Sequence, residues 1–335
     1  MKKKKIILIF VPVLIVLLVL GLIIGNFFKN KDNTPIDSSS NNQEEINYAY
    51  NTIYLADKEN VLIPLSIKYQ TFDSVGEELL YLISTLKVDS SVSNEYFNGL
   101  LPKSCSVKSL DFNEGIVSVN FDSNFATYDS KNELKILESL VWTLCDYEGV
   151  NGVSLSMNDT MLKNMPVNNT PINEVLTKQI GINNYLLTST ILGSGERVLS
   201  YYEKEINDTY YYVPVTHYVS NKENLSLYDL TINSLFKEPG ITSSLQVCRI
   251  FEDTNMVNNS ILTDNVLYVS LSEDILYDET TVSLDVYNLL VKVTSLLDEV
   301  KDVSFLMELE EVKVNGKAED EESSVSKIEL NKFYI

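Results

Sequence analysis

His217 is the single histidine of this 335-residue chain, so any imidazole chemistry would have to use it. A Ser-His-Asp relay built on it would need a nucleophile elbow, and no Gly-x-Ser-x-Gly accompanies it. One histidine cannot make an ordinary zinc site, and Cys105, Cys145 and Cys248 contain no Cys-x-x-Cys pair. The glycines are scattered as turn residues and form no phosphate loop. Carboxylates are abundant, 47 in all, and paired carboxylates can hydrolyse glycosides. Here they fall mainly in turns and helix caps, with Asp122 and Asp274 beside strand ends. Asp122, Asn124 and Asp129 are cation-binding residue types, but the twelve-residue calcium loop is absent. The expectation is no catalytic residue, no cofactor and no metal site, with the binding residues unassigned. His217 reads as a half-exposed strand residue. The cysteines read as buried small apolar side chains, with a Cys105–Cys145 bridge as the alternative and their redox state open.

The elements that would position any site come in two copies. Val150-Asn151-Gly152-Val153-Ser154-Leu155-Ser156-Met157 matches Val300-Lys301-Asp302-Val303-Ser304-Phe305-Leu306-Met307 at four of eight positions, 150 residues apart. The same offset pairs Pro64 with Pro214, Val119 with Val269 and Leu140-Val141 with Leu290-Val291. So long a period implies tandem domains, since solenoid repeats run to about 20–50 residues. In the first copy, Ile53–Leu55 and Leu62–Ile67 read as strands around a polar turn. Ser74 with Glu77 caps a helix striped by Leu79, Leu82, Ile83 and Leu86. Ser106–Leu110 and Ile116–Phe121 bracket the turn Asn113-Glu114-Gly115. Ser130 with Glu133 caps a second helix, in which Leu134, Leu137, Val141 and Leu144 share a face, and Val153–Met157 closes the copy.

The second copy repeats this order, from Leu199–Tyr202 and Tyr210–Tyr218 through a helix begun by Ser226. There the spacing predicts a hairpin of Val247–Phe251 with Val266–Leu271 across a long polar loop, Glu252–Asn265. A helix near 283–297 and a strand Val303–Leu309 end it. The fold class is α+β: two tandem ββαββαβ modules, each a sheet with two helices on one face, after an N-terminal transmembrane helix. The other sheet face is solvated or used. The paired tyrosines Tyr201-Tyr202 and Tyr210-Tyr211-Tyr212 either lie on that open face as contact residues or fill ordinary strand positions.

Lys2 to Lys5 precede an uncharged apolar run, Ile6 to Gly25, long enough to span a bilayer. The run exceeds a signal-peptide core and no Ala-x-Ala-like site follows, so an uncleaved anchor is expected over a cleaved signal. The boundaries are 1–5 cytoplasmic basic, 6–28 transmembrane anchor, 29–46 flexible spacer, 47–165 first module, 166–196 linker, 197–317 second module and 318–335 acidic tail. Ile328 and Leu330 in that tail could add an edge strand. The N-terminus stays inside and the bulk is extracytoplasmic, a single-pass protein of the cell membrane. Beyond the four lysines, 22 basic residues face 47 acidic ones, which excludes nucleic acid as a partner.

The module resembles the GerM domain of envelope proteins in spore-forming bacteria. The resemblance is carried by Ile53-Tyr54-Leu55 with Leu62-Ile63-Pro64, the helix Glu77–Lys87, Leu100-Leu101-Pro102, and Gly115 to Asp122. It is carried further by the strand Val150–Met157, and in the second copy by Asn265 to Ser272 and Val314-Asn315-Gly316-Lys317. It covers most of 47–165 and 197–317. The second copy departs by lacking Leu-Leu-Pro and by its long hairpin loop, and the family's lipid-attachment cysteine is absent. The resemblance implies a non-enzymatic role in sporulation or germination, in envelope assembly or in localising partner proteins. The implied partners are envelope or sporulation-channel membrane proteins, or further copies of the chain, with no small-molecule substrate. The alternative is a peptidoglycan-binding or weak wall-processing envelope protein outside sporulation.

Overall fold

The computed structural model describes residues 47–184, 195–239, 244–297, 299–307, 310–317 and 328–333. The anchor expected at 6–28, the spacer at 29–46 and the acidic run Glu319–Glu322 lie outside the described residues. Among the described residues no helix is long and apolar enough to cross a membrane.

The first copy runs β1 (Tyr48–Ala56), β2 (Leu62–Gln70), α1 (Val75–Thr85), β3 (Val107–Asn113), β4 (Ile116–Phe121), α2 (Glu133–Cys145), β5 (Gly152–Met157) and β6 (Thr160–Met161). The second runs β7 (Gly195–Ile206), β8 (Thr209–Ser220), α3 (Leu227–Ser234), β9 (Gln246–Val247), β10 (Met256–Thr263), β11 (Val266–Leu271) and β12 (Thr281–Val282). It continues through α4 (Leu284–Thr294), β13 (Asp302–Met307), β14 (Glu310–Val314) and β15 (Lys332–Phe333). Serine hydroxyls start three helices. Ser74 accepts from the Glu77 N–H at 3.3 Å, Ser226 from Asp229 at 3.0 Å and Ser283 from Val286 at 3.3 Å. The hairpins β3–β4 and β10–β11 close through Glu114-Gly115 and Asp264-Asn265, all at positive φ. β4 pairs in parallel with β5 as Ile116 opposite Gly152, and β11 with β13 as Val266 opposite Asp302, so the 150-residue period holds there.

Several expectations are corrected. Each copy has two sheets rather than one: β1-β2-β15 with β3-β4-β5-β6, and β8-β7-β9 with β10-β11-β13-β14-β12. The cause is that the first hairpin of each copy is apolar on both faces. Ile53, Leu55, Ile63 and Leu65 face the first core, while Tyr54, Ala56 and Leu62 enter the second. In return, Tyr202, Val213 and Val215 of the second copy enter the first core. Each hairpin is therefore a layer shared by two cores, and its strands read as continuous apolar runs. Tyr201 and Tyr202 are consumed in this shared packing rather than displayed on an open sheet face. The uniform offset also slips. Pro64 lies opposite Tyr54 and Pro214 opposite Tyr201, so β1 and β7 correspond at 147 residues, because the β7–β8 turn is tighter.

The second-copy hairpin is β10–β11, not Val247–Phe251 with β11. β10 is an edge strand carrying Asn258 and Asn259, which hides its strand character. The second copy thus keeps a short hairpin turn after all. In α2, Leu134 is 57% exposed and lies off the buried face of Leu137, Val141 and Leu144. Ser130 does not cap that helix; it sits in a 3-10 turn capped by Asp129. The Glu133 carboxylate is buried instead. It accepts from the Tyr128 hydroxyl at 2.8 Å and from the Val167 and Asn168 N–H groups at 3.1 and 2.6 Å. The described part of the linker is consequently folded back on the first copy: Leu176 bridges to Val153, and Trp142 Nε1 donates to the Gly181 carbonyl at 2.9 Å.

The two copies meet along the outer edges of β2 and β8, and two asparagines join them. Asn183 Oδ1 accepts from the Leu62 N–H at 2.9 Å, and its Nδ2 donates to the carbonyls of Leu62 and Pro214 at 2.8 and 2.9 Å. Asn331 repeats the pattern with the copies exchanged. Its Oδ1 accepts from Tyr212 N–H at 2.8 Å, and its Nδ2 donates to Tyr212 and Pro64 carbonyls at 2.8 and 2.7 Å. Both asparagines lie in the left-handed region, at φ 48° and 53°. Next to them, Ile182 bonds Thr216, and Leu330-Asn331 bonds Ser66, where β15 continues in parallel with β2. The C-terminal segment is thus partly an added strand, with Ile328 and Leu330 buried, and it crosses to the first copy.

Buried charge also links the copies. Asp146, after α2, accepts from the Tyr54 hydroxyl at 2.6 Å and pairs with Lys178; Lys292 of α4 approaches it at 3.6 Å. Burial pushes the Asp146 carboxyl up. The two ammonium groups and the hydrogen bonds from Lys178 and Tyr54 outweigh that and hold it below the usual carboxylate range. Lys204 of β7, almost fully buried, pairs with Asp57 and, at 2.9 Å, with Glu59 in the β1–β2 turn.

Asn183→Ala and Asn331→Ala each strand backbone groups in the interface, and each is expected to cost about 2–4 kcal/mol in urea unfolding. Asn183→Gly, which tolerates the positive φ, should recover only a small part; full recovery would make the amide irrelevant. Asp146→Asn leaves two buried lysines without a counter-charge and should cost about 3–5 kcal/mol near neutral pH. Because the folded Asp146 pKa is depressed, its contribution is present above the unfolded value near about 4 and is lost as pH falls through the folded value. The difference between wild type and variant, followed by chemical unfolding as a function of pH, should shrink only on that acidic side.

Candidate functional site

The groups with chemical potential are dispersed or already engaged. His217 lies on β8 with its ring 6.1 Å from Tyr202, and burial, then Lys237, lower its pKa to about 4. It remains neutral at physiological pH, and among the described residues no serine–carboxylate pair is assembled around it. Asp122 caps its own turn, accepting from Asn124 N–H at 3.1 Å and Ser106 N–H at 3.2 Å, while Asp129 pairs with Lys131 at 3.1 Å. Asp274 sits in the short turn Glu273–Ile275. The three cysteines are free thiols. Burial pushes Cys105 up to about 12 and Cys145 to about 11, so both stay protonated and weakly nucleophilic.

A different surface gathers functional side chains. The outer half of β1, from Tyr48 to Thr52, borders a groove of about 330 Å3. Facing it are Glu78 of α1, Tyr147 and Glu148 just after α2, and Glu329 of the C-terminal segment. Each wall follows from the fold. β1 supplies Tyr48 and Tyr50 at alternate positions on one face, 52% and 41% exposed. α1 presents Glu78 one turn after the Ser74 cap, and the Tyr147 hydroxyl donates to Glu78 Oε2. Burial first and the Glu78 carboxylate second raise the Tyr147 phenol. Glu329 arrives because Ser66 holds the Leu330 carbonyl at 2.7 Å.

A second, wider hollow adjoins around Tyr69, Phe72 and Tyr81, whose rings stand 4.9–6.2 Å apart. Tyr69 is pushed up to about 12 by burial and then by Glu78, and its hydroxyl accepts from Asn51 Nδ2 at 2.6 Å. Lys68 spans the two hollows' rim, its ammonium 4.4 Å from the Tyr48 ring and 5.6 Å from Tyr50. The arrangement offers aromatic faces and carboxylates, and among the described residues no nucleophile or metal set is assembled there. Sequence reading missed it: Tyr48, Tyr50 and Glu78 are far apart in sequence from Tyr147 and Glu329. The one available signal was the alternation of Tyr48 and Tyr50 ahead of the first apolar run.

Comparison with known proteins agrees with this fold. The family model described as "Germane: Sporulation and spore germination" matches residues 52–163. The spore germination protein GerM of Bacillus subtilis (strain 168) is 30% identical over 272 residues, covering 80% of this chain and 72% of that protein. The solved structure of the tandem GerMN domains of the sporulation protein GerM from Bacillus subtilis superimposes with a TM-score of 0.67 at 28% identity. It covers 80% of this chain and 92% of that one. The resemblance carried by the first hairpin and the Gly115–Asp122 strand therefore extends through both copies, and the chain belongs to the GerM family of sporulation and spore-germination proteins.

Proposed function

We propose that the chain is a non-catalytic envelope protein of sporulation or germination, held in the membrane through residues 6–28 with its bulk outside, where it binds and positions partner proteins. Family membership supports the process. The observation that supports the mode of action is the β1 groove, where exposed tyrosines stand beside carboxylates at the edge of a rigid hairpin. Tyrosine buries large area at low entropic cost, which suits protein contacts. A glycan-binding role has one observation in its favour, since tyrosines beside carboxylates also suit sugars; it fits peptidoglycan as the wall ligand.

Crosslinking the intact protein in sporulating cells and purifying it from solubilised membranes separates the two readings. The expected outcome is recovery of envelope membrane proteins. The double variant Tyr48→Ala/Tyr50→Ala should lower that recovery about tenfold or more, while its melting temperature stays close to wild type because both side chains are exposed. Recovery of peptidoglycan fragments alone overturns the protein-binding reading.

A further inference from the structure

β1 is the outermost strand of its sheet. In an antiparallel pair, alternate residues turn their backbone groups toward the partner strand and away from it. Two contacts fix the phase of β1. On its outer side the Tyr54 N–H donates to Thr143 Oγ1 at 3.1 Å and the Tyr54 carbonyl accepts from Ser139 Oγ at 2.6 Å. Ala56 exchanges both backbone bonds with Asn98 on that side. Tyr48, Tyr50 and Thr52 share this phase, so their N–H and C=O groups point into the groove. Among the described residues these groups have no bonding partner. Thr52 is nevertheless only 5% exposed, and an unpaired backbone edge at such depth is costly to leave unmade.

The groove walls carry a consistent charge. Among the described residues Glu78, Glu148 and Glu329 line it with Tyr48, Tyr50 and Tyr147, while Lys68 stands at its rim. Glu329 has one distant cation, Lys332 at 4.0 Å, and Tyr48 has Lys68 over one ring face. The second copy does not repeat this chemistry. Aligned on the strand prolines, Tyr48 and Tyr50 correspond to Gly195 and Arg197. Aligned on the cap serines, Glu78 corresponds to Leu230. The duplicated fold therefore does not require these residues.

We propose that the β1 groove binds an extended, lysine- or arginine-bearing segment of a partner protein as an added strand against Tyr48–Thr52. The segment's backbone pairs with Tyr50 and Thr52, and its alternate side chains meet Tyr48, Tyr50 and Glu329 on one side and Glu78, Tyr147 and Glu148 on the other. This inference rests on the protein-binding role proposed above and names its site and ligand chemistry.

The probe is a fluorescein-labelled ten-residue peptide of alternating lysine and valine, titrated into the full chain by fluorescence anisotropy. Saturable binding is expected, about tenfold or more weaker with Glu78→Gln/Glu148→Gln/Glu329→Gln and again weaker with Thr52→Pro, which removes an outward donor. Should Thr52→Pro fail to fold, the same peptide methylated on alternate backbone nitrogens replaces it and should lose binding. Hydrogen exchange should show new protection at the Tyr50 and Thr52 amides. Equal binding of an alternating glutamate–valine peptide, binding indifferent to backbone methylation, or none up to about 1 mM overturns the inference. So does a concentration-dependent dimer of the chain that the peptide cannot dissociate. Partner recovery from cells that survives the triple glutamine variant also overturns it while leaving the protein-binding role standing.

Discussion

Two side-chain amides stand where a sheet would otherwise have a ladder of main-chain bonds. β2 and β8 face each other edge to edge, and at Pro64 and Pro214 neither strand has an N–H to offer. Asn183 and Asn331 bridge the gap: each Nδ2 donates to a proline carbonyl of one copy and to the carbonyl of a residue in the other, and each Oδ1 accepts from that residue's N–H. The geometry is a two-fold clamp: Leu62, Asn183 and Pro214 on one side, Tyr212, Asn331 and Pro64 on the other. Because the facing edges of β2 and β8 are satisfied this way, those two strands can be buried against each other without orphaned backbone groups at Leu62, Pro64, Tyr212 and Pro214. The sharing of Tyr54 and Tyr202 between cores follows from that burial, and so does the refusal of the two copies to behave as separate beads.

The symmetry of the clamp makes the asymmetries around it informative. Trp142 of α2 and Lys292 of α4 occupy the same position in their copies. Trp142 packs edge-on against Tyr54 at 5.6 Å and bonds Gly181, whereas Lys292 brings a positive charge to Asp146. Asp146 has Leu296 as its counterpart, so the ion cluster exists once, on one side of the pseudo-axis. Buried ion clusters give up much of their attraction to desolvation but penalise any arrangement that separates them. Here the cluster favours the pairing of first copy with second over a pairing of like copies, in which Asp146 would meet the counterpart of Lys292, a tryptophan, and Lys292 the counterpart of Asp146, a leucine. The same divergence appears at the surface, where Tyr48, Tyr50 and Glu78 of the β1 groove have Gly195, Arg197 and Leu230 as counterparts.

Local signals in the chain were legible because they depend on neighbours in sequence. Ser74, Ser226 and Ser283 start helices, Glu114-Gly115 turns a hairpin, and Val150–Met157 and its counterpart form equivalent strands in register. What escaped depends on distant partners. The run Ile53-Tyr54-Leu55 says that a strand is buried on both sides, but not that the second side belongs to the other copy. Nothing in the sequence singles out Asn183 and Asn331, because an asparagine that clamps two strands is indistinguishable there from one that only tolerates positive φ. Glu133 fitted a capping pattern with Ser130, yet its burial among the linker amides decides its role. The groove was least legible, since it joins residues 48–52, 78, 147–148 and 329 through tertiary structure alone.

The rigidity of the hairpin bears on what its free edge can do. Strand addition to a flexible edge would cost ordering on both sides of the contact; β1 is already fixed by β2, by Thr143 and Ser139, and by the cores on its two faces. Only the incoming segment then loses freedom, at about 1–2 kcal/mol for each residue fixed. A few main-chain bonds, each worth about 1 kcal/mol net, do not offset that alone. The remainder must come from desolvated aromatic contact and from charge, which is where Tyr48, Tyr50, Glu78, Glu148 and Glu329 lie. Such a balance yields modest, salt-sensitive affinity that becomes effective when both partners are confined to one membrane surface and their encounter is nearly intramolecular. In the proposed binding mode the edge and Tyr48, Tyr50, Glu78 and Glu148 come from the first copy, Glu329 from the C-terminal segment, and the inter-copy clamp holds them in place, so that the two copies would divide the labour of the duplication.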